Sequence, residues 1–165
     1  IGVKINIIKK ALKKFLGIQR RFTKVFSIGK RDFYDDYAHH PTEIKAVISS
    51  ARQVYKYRKI ICIFQPHRYS RVKFLKSEFA SSFKLSDEVV LCPVYSAGEK
   101  IKYNFNQKRF SKLISKKSHV QVVNVKDQNE LKNYFKKNLI EDEMVVCMGA
   151  GSISNWIREI GEKLK

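Results

Sequence analysis

The sequence predicts an α/β fold in which helices cover both faces of a mostly parallel sheet. From residue 59 onward, short apolar runs alternate with amphipathic segments of helical period, which is the pattern of parallel strands joined by helical crossovers. The run KIICIF at 59–64 is apolar throughout, as expected for a strand that is covered on both faces. A length of 165 residues suits one domain with its own core.

A short helical lead-in and an N-terminal hairpin precede the alternating part. Residues 3–17 predict a helix that Gly17 ends, with apolar positions at Val3, Ile7, Ala11, Leu12 and Phe15. Residues 20–38 predict two short strands that meet in a turn at Gly29 and Lys30. Pro41 fits the first turn of a helix from 41 to about 57, whose apolar positions are Ile44, Val47, Ile48, Ala51, Val54 and Tyr55.

Four helices and three strands are predicted after the strand at 59–64. The first helix covers about 70–84, with Phe74, Leu75, Phe79 and Phe83 on one side. The strands lie in 88–95, 119–125 and 143–151, and the helices between and after them lie in 107–117, 127–139 and 152–164.

Local signals refine three of these later elements. The alternating polarity of 119–125 indicates a strand near a sheet edge. Asp127 and Glu130 have the spacing of a capping box, and Ser152 is placed to cap the last helix.

The chain is strongly basic, with a formal net charge of +19 from 34 basic and 15 acidic residues. Such a charge suits binding to nucleic acid or to an anionic membrane. However, only 9 of the basic residues are arginines, and the lysines are scattered, whereas specific readers of nucleic acid rely on arginine forks and a concentrated basic face. We therefore expect a lysine-rich solvated surface and no specific nucleic-acid partner.

Cysteine usage and hydropathy indicate a cytoplasmic protein without a membrane partner. Cys62, Cys92 and Cys147 each lie in an apolar strand-like run and form no CxxC pair, which predicts buried free thiols in a reducing compartment. No apolar run reaches the roughly 20 residues that span a bilayer, and lysines interrupt the N-terminal segment. The first residue is Ile1 rather than Met, so we expect a fragment of a longer chain.

Two polar runs follow predicted strands, at the edge of the sheet where ligands gather in parallel α/β folds. FQPHRYSR at 64–71 places Arg68 and Arg71 three residues apart at the start of a helix. There guanidinium forks and free backbone N–H groups favour a carboxylate or phosphate. The alternative is a helix cap with solvated arginines.

The second run, DDYAHHPTEI at 35–44, has several interpretations. Asp35 and Asp36 could cap the helix that Pro41 opens, or an aspartate there could accept from a ribose hydroxyl. The adjacent histidines, His39 and His40, point in different directions and are a poor chelate, so no metal site is predicted. MGAG at 148–151 lacks the third glycine of a dinucleotide fingerprint and predicts a tight turn.

Five motifs together carry a resemblance to a known family. GIQRRF, DDYAHHPTEI, FQPHRYSR, YSAGEK and MGAGSI stand in the order that they have in the C-terminal domain of the Mur ligases, and they cover nearly the whole chain. FQPHRYSR resembles the branch that adds L-alanine rather than the sibling that attaches recovered peptides to the same sugar nucleotide. The resemblance implies a Rossmann-like domain at 23–165 that binds an amino acid, preceded at 1–22 by the tail of a central ATPase domain and a linker.

The resemblance also implies an activity and its partners. The parent enzyme would be an ATP-dependent ligase of peptidoglycan synthesis: ATP phosphorylates the carboxylate of UDP-N-acetylmuramate, and the amine of L-alanine attacks the acyl phosphate. Magnesium ions would screen the phosphates. The domain would work with the N-terminal and central domains of the same ligase. A nucleic-acid-binding or freestanding regulatory ligand-binding α/β domain is the alternative, but neither has a reason to carry all five motifs.

Site residues follow from the same resemblance. It implies that Arg21, rather than Arg20, reaches the ATP phosphates and that Asp36 orients the nucleotide. It implies an alanine pocket lined by Tyr37, His39, His67, Arg68 and Arg71, with the arginines as carboxylate clamps.

We predict that the 165-residue chain alone has no ligase or ATPase activity. The sequence lacks a GxxxxGK[ST] phosphate loop and the Glu/His magnesium segment of a central ATPase domain, so the machinery that activates the carboxylate is missing. Phosphate release would be measured with ATP, UDP-N-acetylmuramate and L-alanine. Turnover by the purified chain above a buffer blank would contradict the prediction.

Overall fold

A computed structural model describes residues 2–14, 18–100, 105–140 and 142–164, and within these the chain forms six strands and seven helices. The strands are β1 Thr23–Ile28, β2 Arg31–Asp36, β3 Lys59–Phe64, β4 Glu88–Leu91, β5 Gln121–Asn124 and β6 Glu143–Met148. The helices are α1 Ile5–Lys14, α2 Pro41–Val54, α3 Tyr69–Phe74, α4 Lys76–Ala80, α5 Gln107–Ser118, α6 Gln128–Asn138 and α7 Ile153–Leu164.

The six strands form one sheet in the order β1-β2-β6-β3-β4-β5. Strands β2 to β6 run parallel to one another, and β1 pairs antiparallel with β2 across the predicted hairpin. The alternating strand 121–124 lies at the edge, as its polarity pattern predicts. The predicted mixed, mostly parallel sheet is therefore confirmed, and the carboxyl ends of β2, β6, β3 and β4 share one edge.

Helices cover both faces of the sheet because successive strand residues point to opposite sides. In β3, Cys62 and Phe64 pack in one core with α2, α4 and α5, whereas Ile61 and Ile63 pack in a second core with α6 and α7. The uninterrupted apolar run of this strand thus serves two cores at once, as its sequence predicts.

All three cysteines are buried free thiols, as expected from their positions in apolar runs. Burial away from water disfavours the thiolate and raises the pKa of Cys62 to about 12. The pKa values of Cys92 and Cys147 are raised by burial as well.

Two predicted helices are shorter or more divided than expected. The predicted helix at 70–84 is two short helices that meet at Leu75, whose backbone leaves the helical region. Phe79 and Phe83 are four residues apart and enter the core, whereas Phe74 falls on the other side and is 77% exposed, so its place in the apolar stripe was wrong. Helix α2 ends at Val54 rather than near residue 57. The side chain of Val54 is exposed, so its predicted place among the apolar positions of this helix was also wrong.

Helix α1 confirms the predicted lead-in, but its described apolar side chains face outward. Ile5, Ile7, Ile8 and Ala11 are exposed, and so is Val3, which lies just before the helix. The predicted positions Phe15 and Gly17, and the side chain of Leu12, lie outside the described residues. No described helix combines the length and the apolar character needed to cross a bilayer.

Arg58, just before β3, holds the turn end of the hairpin. Its Nη1 donates to Asp32 Oδ2 at 2.7 Å, and its Nη2 donates to the Glu143 carbonyl at 2.9 Å. Lys24 also pairs with Asp32, at 2.6 Å from Oδ1. Burial alone would raise the pKa of Asp32, but the hydrogen bonds with Arg58 and Lys24 outweigh it and lower that pKa to about 2.

We predict that Asp32→Asn destabilises the fold by about 2 kcal/mol at neutral pH, from the difference between an ordinary pKa of 3.8 and a folded pKa of about 2. Because the folded pKa is depressed, this contribution is complete above pH 3.8 and disappears as the pH falls towards 2. Urea unfolding at several pH values measures it. Asp142→Asn is the control, because Asp142 pairs with the same Arg58 but is exposed, and we expect a loss below about 1 kcal/mol. Equal losses for both variants would contradict the prediction.

Candidate functional site

The two polar runs meet at the carboxyl edge of the sheet through a row of aromatic rings. Tyr37 and His39 follow β2, and their rings lie 5.1 Å apart, edge to face. The His39 ring lies 5.6 Å from the His67 ring, which follows β3, and the His67 ring stacks on Tyr95, after β4, at 5.7 Å. We call these four residues, with Arg68 and Arg71, the strand-end cluster.

The imidazole of His39 is held through Nδ1. This atom lies 2.9 Å from the Tyr37 carbonyl and 3.4 Å from Glu43 Oε2, and both of these atoms can only accept. The proton therefore sits on Nδ1, and Nε2 of the neutral ring carries the lone pair.

The imidazole of His67 has the opposite arrangement. Arg71 Nη1 donates to its Nδ1 at 3.1 Å, and since a guanidinium can only donate, the ring proton must be on Nε2. Burial lowers the pKa of His67, and the charges of Arg71 and the other neighbouring cations lower it further. The two rings thus present a proton acceptor and a proton donor side by side.

Arg68 adopts a strained backbone that aims its side chain outward. Its φ is +68°, a region that residues with a Cβ rarely occupy and that recurs at functional sites. Its amide donates to the Tyr95 carbonyl at 2.8 Å, while the Tyr95 amide donates to the Pro66 carbonyl. The loop after β4 therefore fixes the turn that presents the exposed Arg68 side chain.

The start of α3 is occupied by a carboxylate of the chain itself. Glu99 Oε2 accepts from the Ser70 amide at 3.1 Å, and Oε1 accepts from the Ser70 hydroxyl. These hydrogen bonds lower the pKa of Glu99. The expectation that free N–H groups at this helix start help to bind an external anion is therefore wrong for the Ser70 amide, which Glu99 already occupies. The roles of the Arg68 and Arg71 side chains stay a prediction.

Asp36 is buried and ties the linker to the sheet. Its Oδ2 accepts from the Phe22 amide at 2.8 Å, and its Oδ1 accepts from the Ala38 amide at 2.7 Å. Burial raises the pKa of Asp36, although these amides and Arg21 offset part of the rise. The carboxylate thus sets the path of the chain next to Arg21, whose guanidinium is exposed near the ring of Tyr37.

Asp35 and Arg20 have structural partners. Asp35 is fully buried and accepts from the Ser154 hydroxyl and from Arg158 Nη2. Arg20 Nε lies 3.8 Å from Asp35 Oδ2, and Arg20 Nη2 donates to the Gly149 carbonyl. Arg20 is thereby committed to the sheet edge, whereas Arg21 is exposed. The role of Arg21 towards ATP stays a prediction.

The sequence allowed Asp35 or Asp36 to cap α2, but the residue that caps this helix is His40. Its Nδ1 accepts from the Thr42 amide, while Glu43 accepts from the His40 amide, which completes a capping box. The two adjacent histidines therefore serve different purposes. In the described residues no group of three His, Cys, Asp or Glu side chains is arranged to hold a metal ion.

The glycine-rich turn after β6 is a close-contact turn, as predicted. A Cβ on Gly151 would lie 2.4 Å from Cγ of Tyr95 and 2.6 Å from Oε1 of Gln65. Gln65 is buried, accepts from the Ile153 amide at 3.0 Å and donates to the Ser152 hydroxyl at 3.0 Å. Ser152 directly precedes α7, and its hydroxyl accepts from Gln65; its role as the cap of this helix stays a prediction.

Sequence reasoning missed four residues of the site. Tyr95 and Glu99 lie in the YSAGEK motif, but nothing in the motif says which side chains they meet. Glu43 stands three residues after His40, a spacing that could have identified the capping box. Gln65 was quoted within a motif without a role, and a buried carboxamide has no sequence signature of its own.

The chain is similar to known ligases over most of its length. The sequence model named Mur ligase, glutamate ligase domain matches residues 20–151. A UDP-N-acetylmuramate–L-alanine ligase of Pelagibacter ubique is 53% identical over 98% of this chain and 35% of its own length. The ligase of the same name from Bartonella tribocorum is 38% identical over 99% of this chain and 34% of its own length. The chain thus spans about a third of the length of these relatives.

Solved structures agree with this similarity. The crystal structure of the UDP-N-acetylmuramate-alanine ligase MurC from Thermotoga maritima superimposes with a TM-score of 0.75 at 30% identity, over 99% of this chain and 34% of that one. A murein peptide ligase from Psychrobacter arcticus has a TM-score of 0.74 at 19% identity, over 99% of this chain and 34% of that one, which shows a shared fold.

We predict that Gly151→Ala destabilises the fold by about 1–3 kcal/mol, because the added methyl group overlaps the Tyr95 ring and the Gln65 carboxamide. Thermal and urea unfolding measure the loss. Gly2→Ala is the control, since nothing lies within 4 Å of its Cβ position. Unchanged stability of Gly151→Ala would show that the loops after β4 and β6 separate without cost.

Proposed function

Because this chain belongs to the Mur ligase family, we propose that it is the C-terminal, amino-acid-binding domain of an ATP-dependent ligase that joins L-alanine to UDP-N-acetylmuramate. The relatives that carry this activity in their names align with almost the entire chain. The complete activity would belong to a longer protein, with an N-terminal domain and a central ATPase domain as partners of this one. We assign the ligase to the cytoplasm, in keeping with its three buried free thiols.

The observation that carries the proposal is the strand-end cluster. Arg68 and Arg71 offer guanidinium groups beside two imidazoles of opposite tautomer, at the edge of the sheet where α/β folds bind ligands. An amino acid needs this combination, since its carboxylate seeks guanidinium donors and its amino group seeks an acceptor. Tyr37 and His67 would complete the pocket, and the small alanine side chain would lie against the rings.

Residue roles on the nucleotide side are proposed separately. Arg21 is exposed and would reach the phosphates of ATP. Asp36 would act on the nucleotide in two ways. It fixes the Phe22 amide, and with it the neighbouring Arg21. Its carboxylate oxygens have further lone pairs, one of which would accept from a ribose hydroxyl.

Catalysis would proceed through an acyl phosphate that ATP forms on the muramate carboxylate, outside this domain. When bound, Mg²⁺ would screen the phosphate charges. The described residues contain no suitable set of metal ligands, so we assign Mg²⁺ to the remainder of the ligase and to the phosphates themselves. This domain would bring the amino acid to the acyl phosphate and orient it for attack.

We predict that Arg68→Ala and Arg71→Ala in the full-length ligase each raise the KM for L-alanine, with little change in the KM for ATP. Loss of a charge-assisted hydrogen bond costs about 1.5–3 kcal/mol, which corresponds to roughly a 10- to 100-fold weaker interaction. Arg68→Lys should also be impaired, because an ammonium cannot reproduce the planar fork. Initial rates would be measured with each substrate varied in turn.

Two further variants make the test specific. Arg21→Ala should affect the ATP dependence first, and Arg109→Ala removes an exposed arginine from α5 and should change neither dependence. If both Arg68→Ala and Arg71→Ala leave the alanine dependence unchanged, the assignment of the pocket is wrong.

A further inference from the structure

We propose that His39 is the group that takes the proton from the ammonium of the incoming amino acid, and that Glu43 is the residue that positions it. This inference rests on the proposed function, because it names the step that the same site performs on the amino group. An amino acid arrives as an ammonium ion at neutral pH and cannot attack until a base removes one proton.

The proton acceptor is identified by the contacts of the two imidazoles. In His39, Nδ1 keeps its proton in either charge state, because the Tyr37 carbonyl at 2.9 Å and Glu43 Oε2 at 3.4 Å both accept from it. The proton that this ring gains or loses is therefore the one on Nε2. In His67 that position already bears a proton, because Arg71 donates to Nδ1. Of the two rings, His39 is the one that offers a lone pair to an amino group.

Glu43 fixes the position of this ring through three contacts. Its Oε2 accepts from the His39 amide at 2.9 Å and from the His40 amide at 3.1 Å, and it faces His39 Nδ1 at 3.4 Å. Burial alone would raise the pKa of Glu43, but these donors and the two imidazoles lower it overall, so the carboxylate is ionised at neutral pH. A negative charge at this distance stabilises the imidazolium that forms when Nε2 takes a proton.

Other charged groups reach His39 from the neighbouring elements. His67 faces it from the loop after β3, with Arg71 bound behind His67 and Arg68 and Glu99 nearby. Tyr37 also contacts His39, and the guanidinium groups of Arg20 and Arg21 lie over the Tyr37 ring. Arg68 and Arg71 would hold the carboxylate end of an amino acid, which leaves its amino end for Nε2 of His39.

In the proposed step the ammonium nitrogen loses two protons. The first ammonium proton passes to Nε2 of His39, and the amine nitrogen attacks the carbonyl carbon of the acyl phosphate. The C–N bond forms as the C–O bond to phosphate breaks, and the phosphate leaves with that electron pair. The second nitrogen proton goes to the departing phosphate, and His39 returns its proton to solvent.

The test uses the full-length ligase with His39→Gln, which keeps a polar side chain but removes the base. We expect kcat/KM for L-alanine at neutral pH to fall about 10²- to 10⁴-fold, the usual size of general-base catalysis. The defect should shrink as the pH rises, because more of the amine is then free. Hydroxylamine, which is uncharged at neutral pH, should intercept the acyl phosphate equally well in parent and variant, measured as hydroxamate.

Glu43→Gln gives a second, independent variant in case the first one disturbs the start of α2. We expect about a 10-fold loss of kcat/KM with L-alanine and no loss in the hydroxylamine assay, because the carboxylate no longer holds the His39 ring. His119→Asn is the matched control, since it replaces an exposed histidine at the end of α5 and should change neither rate nor profile.

The outcomes separate this inference from the function on which it rests. A parent enzyme that forms hydroxamate but does not ligate L-alanine would overturn both. If the parent ligates L-alanine and His39→Gln is as active as the parent, the proton-acceptor role alone would be overturned. The same holds if His39→Gln is impaired by one factor at every pH and by that same factor with hydroxylamine. If Glu43→Gln ligates L-alanine as fast as the parent, or loses hydroxamate formation to the same extent as ligation, the positioning role would be overturned.

Discussion

The loops after β3, β4 and β6 pack at distances that leave no room for a Cβ at Gly151, and the strand-end cluster depends on this contact. The ring of Tyr95 lies directly over that glycine and stacks on His67. The carboxamide of Gln65 holds the start of α7 below it. Three separate loops therefore pack against one another, and the ring of His67 rests on this contact through Tyr95.

Polar side chains at this edge divide into a buried set that builds the edge and an exposed set that faces solvent. Asp35 accepts from a neighbouring hydroxyl, and Asp36 and Gln65 accept from backbone amides. Arg21 and Arg68 project outward. A motif such as DDYAHH thus combines scaffold and reactive groups in consecutive positions.

The fold was largely predictable, because strand and helix periods appear directly in the sequence. The continuous apolar run at 59–64 predicts a central strand, and β3 has neighbours on both sides. The break at Leu75 was not predictable, since its apolar spacing suits one continuous helix and only its backbone departs from it.

Site membership was predictable only in part, for a physical reason. Strand ends can be located from sequence, so the residues after β2 and β3 were placed at one edge. Which atom of an imidazole bears the proton depends on partners from other segments, such as Arg71 for His67. The same holds for Glu99, whose carboxylate reaches the start of α3 across a loop. Such pairings are properties of the folded chain.

The burial of all three thiols also affects how this protein can be studied. Cys62, Cys92 and Cys147 are fully covered, and the raised pKa of each keeps it as the unreactive thiol rather than the thiolate that reagents attack. A cysteine introduced on the surface would therefore be the site that a maleimide dye or spin label modifies. Distances between two such labels would report on the conformation of the chain in solution without first removing the native cysteines.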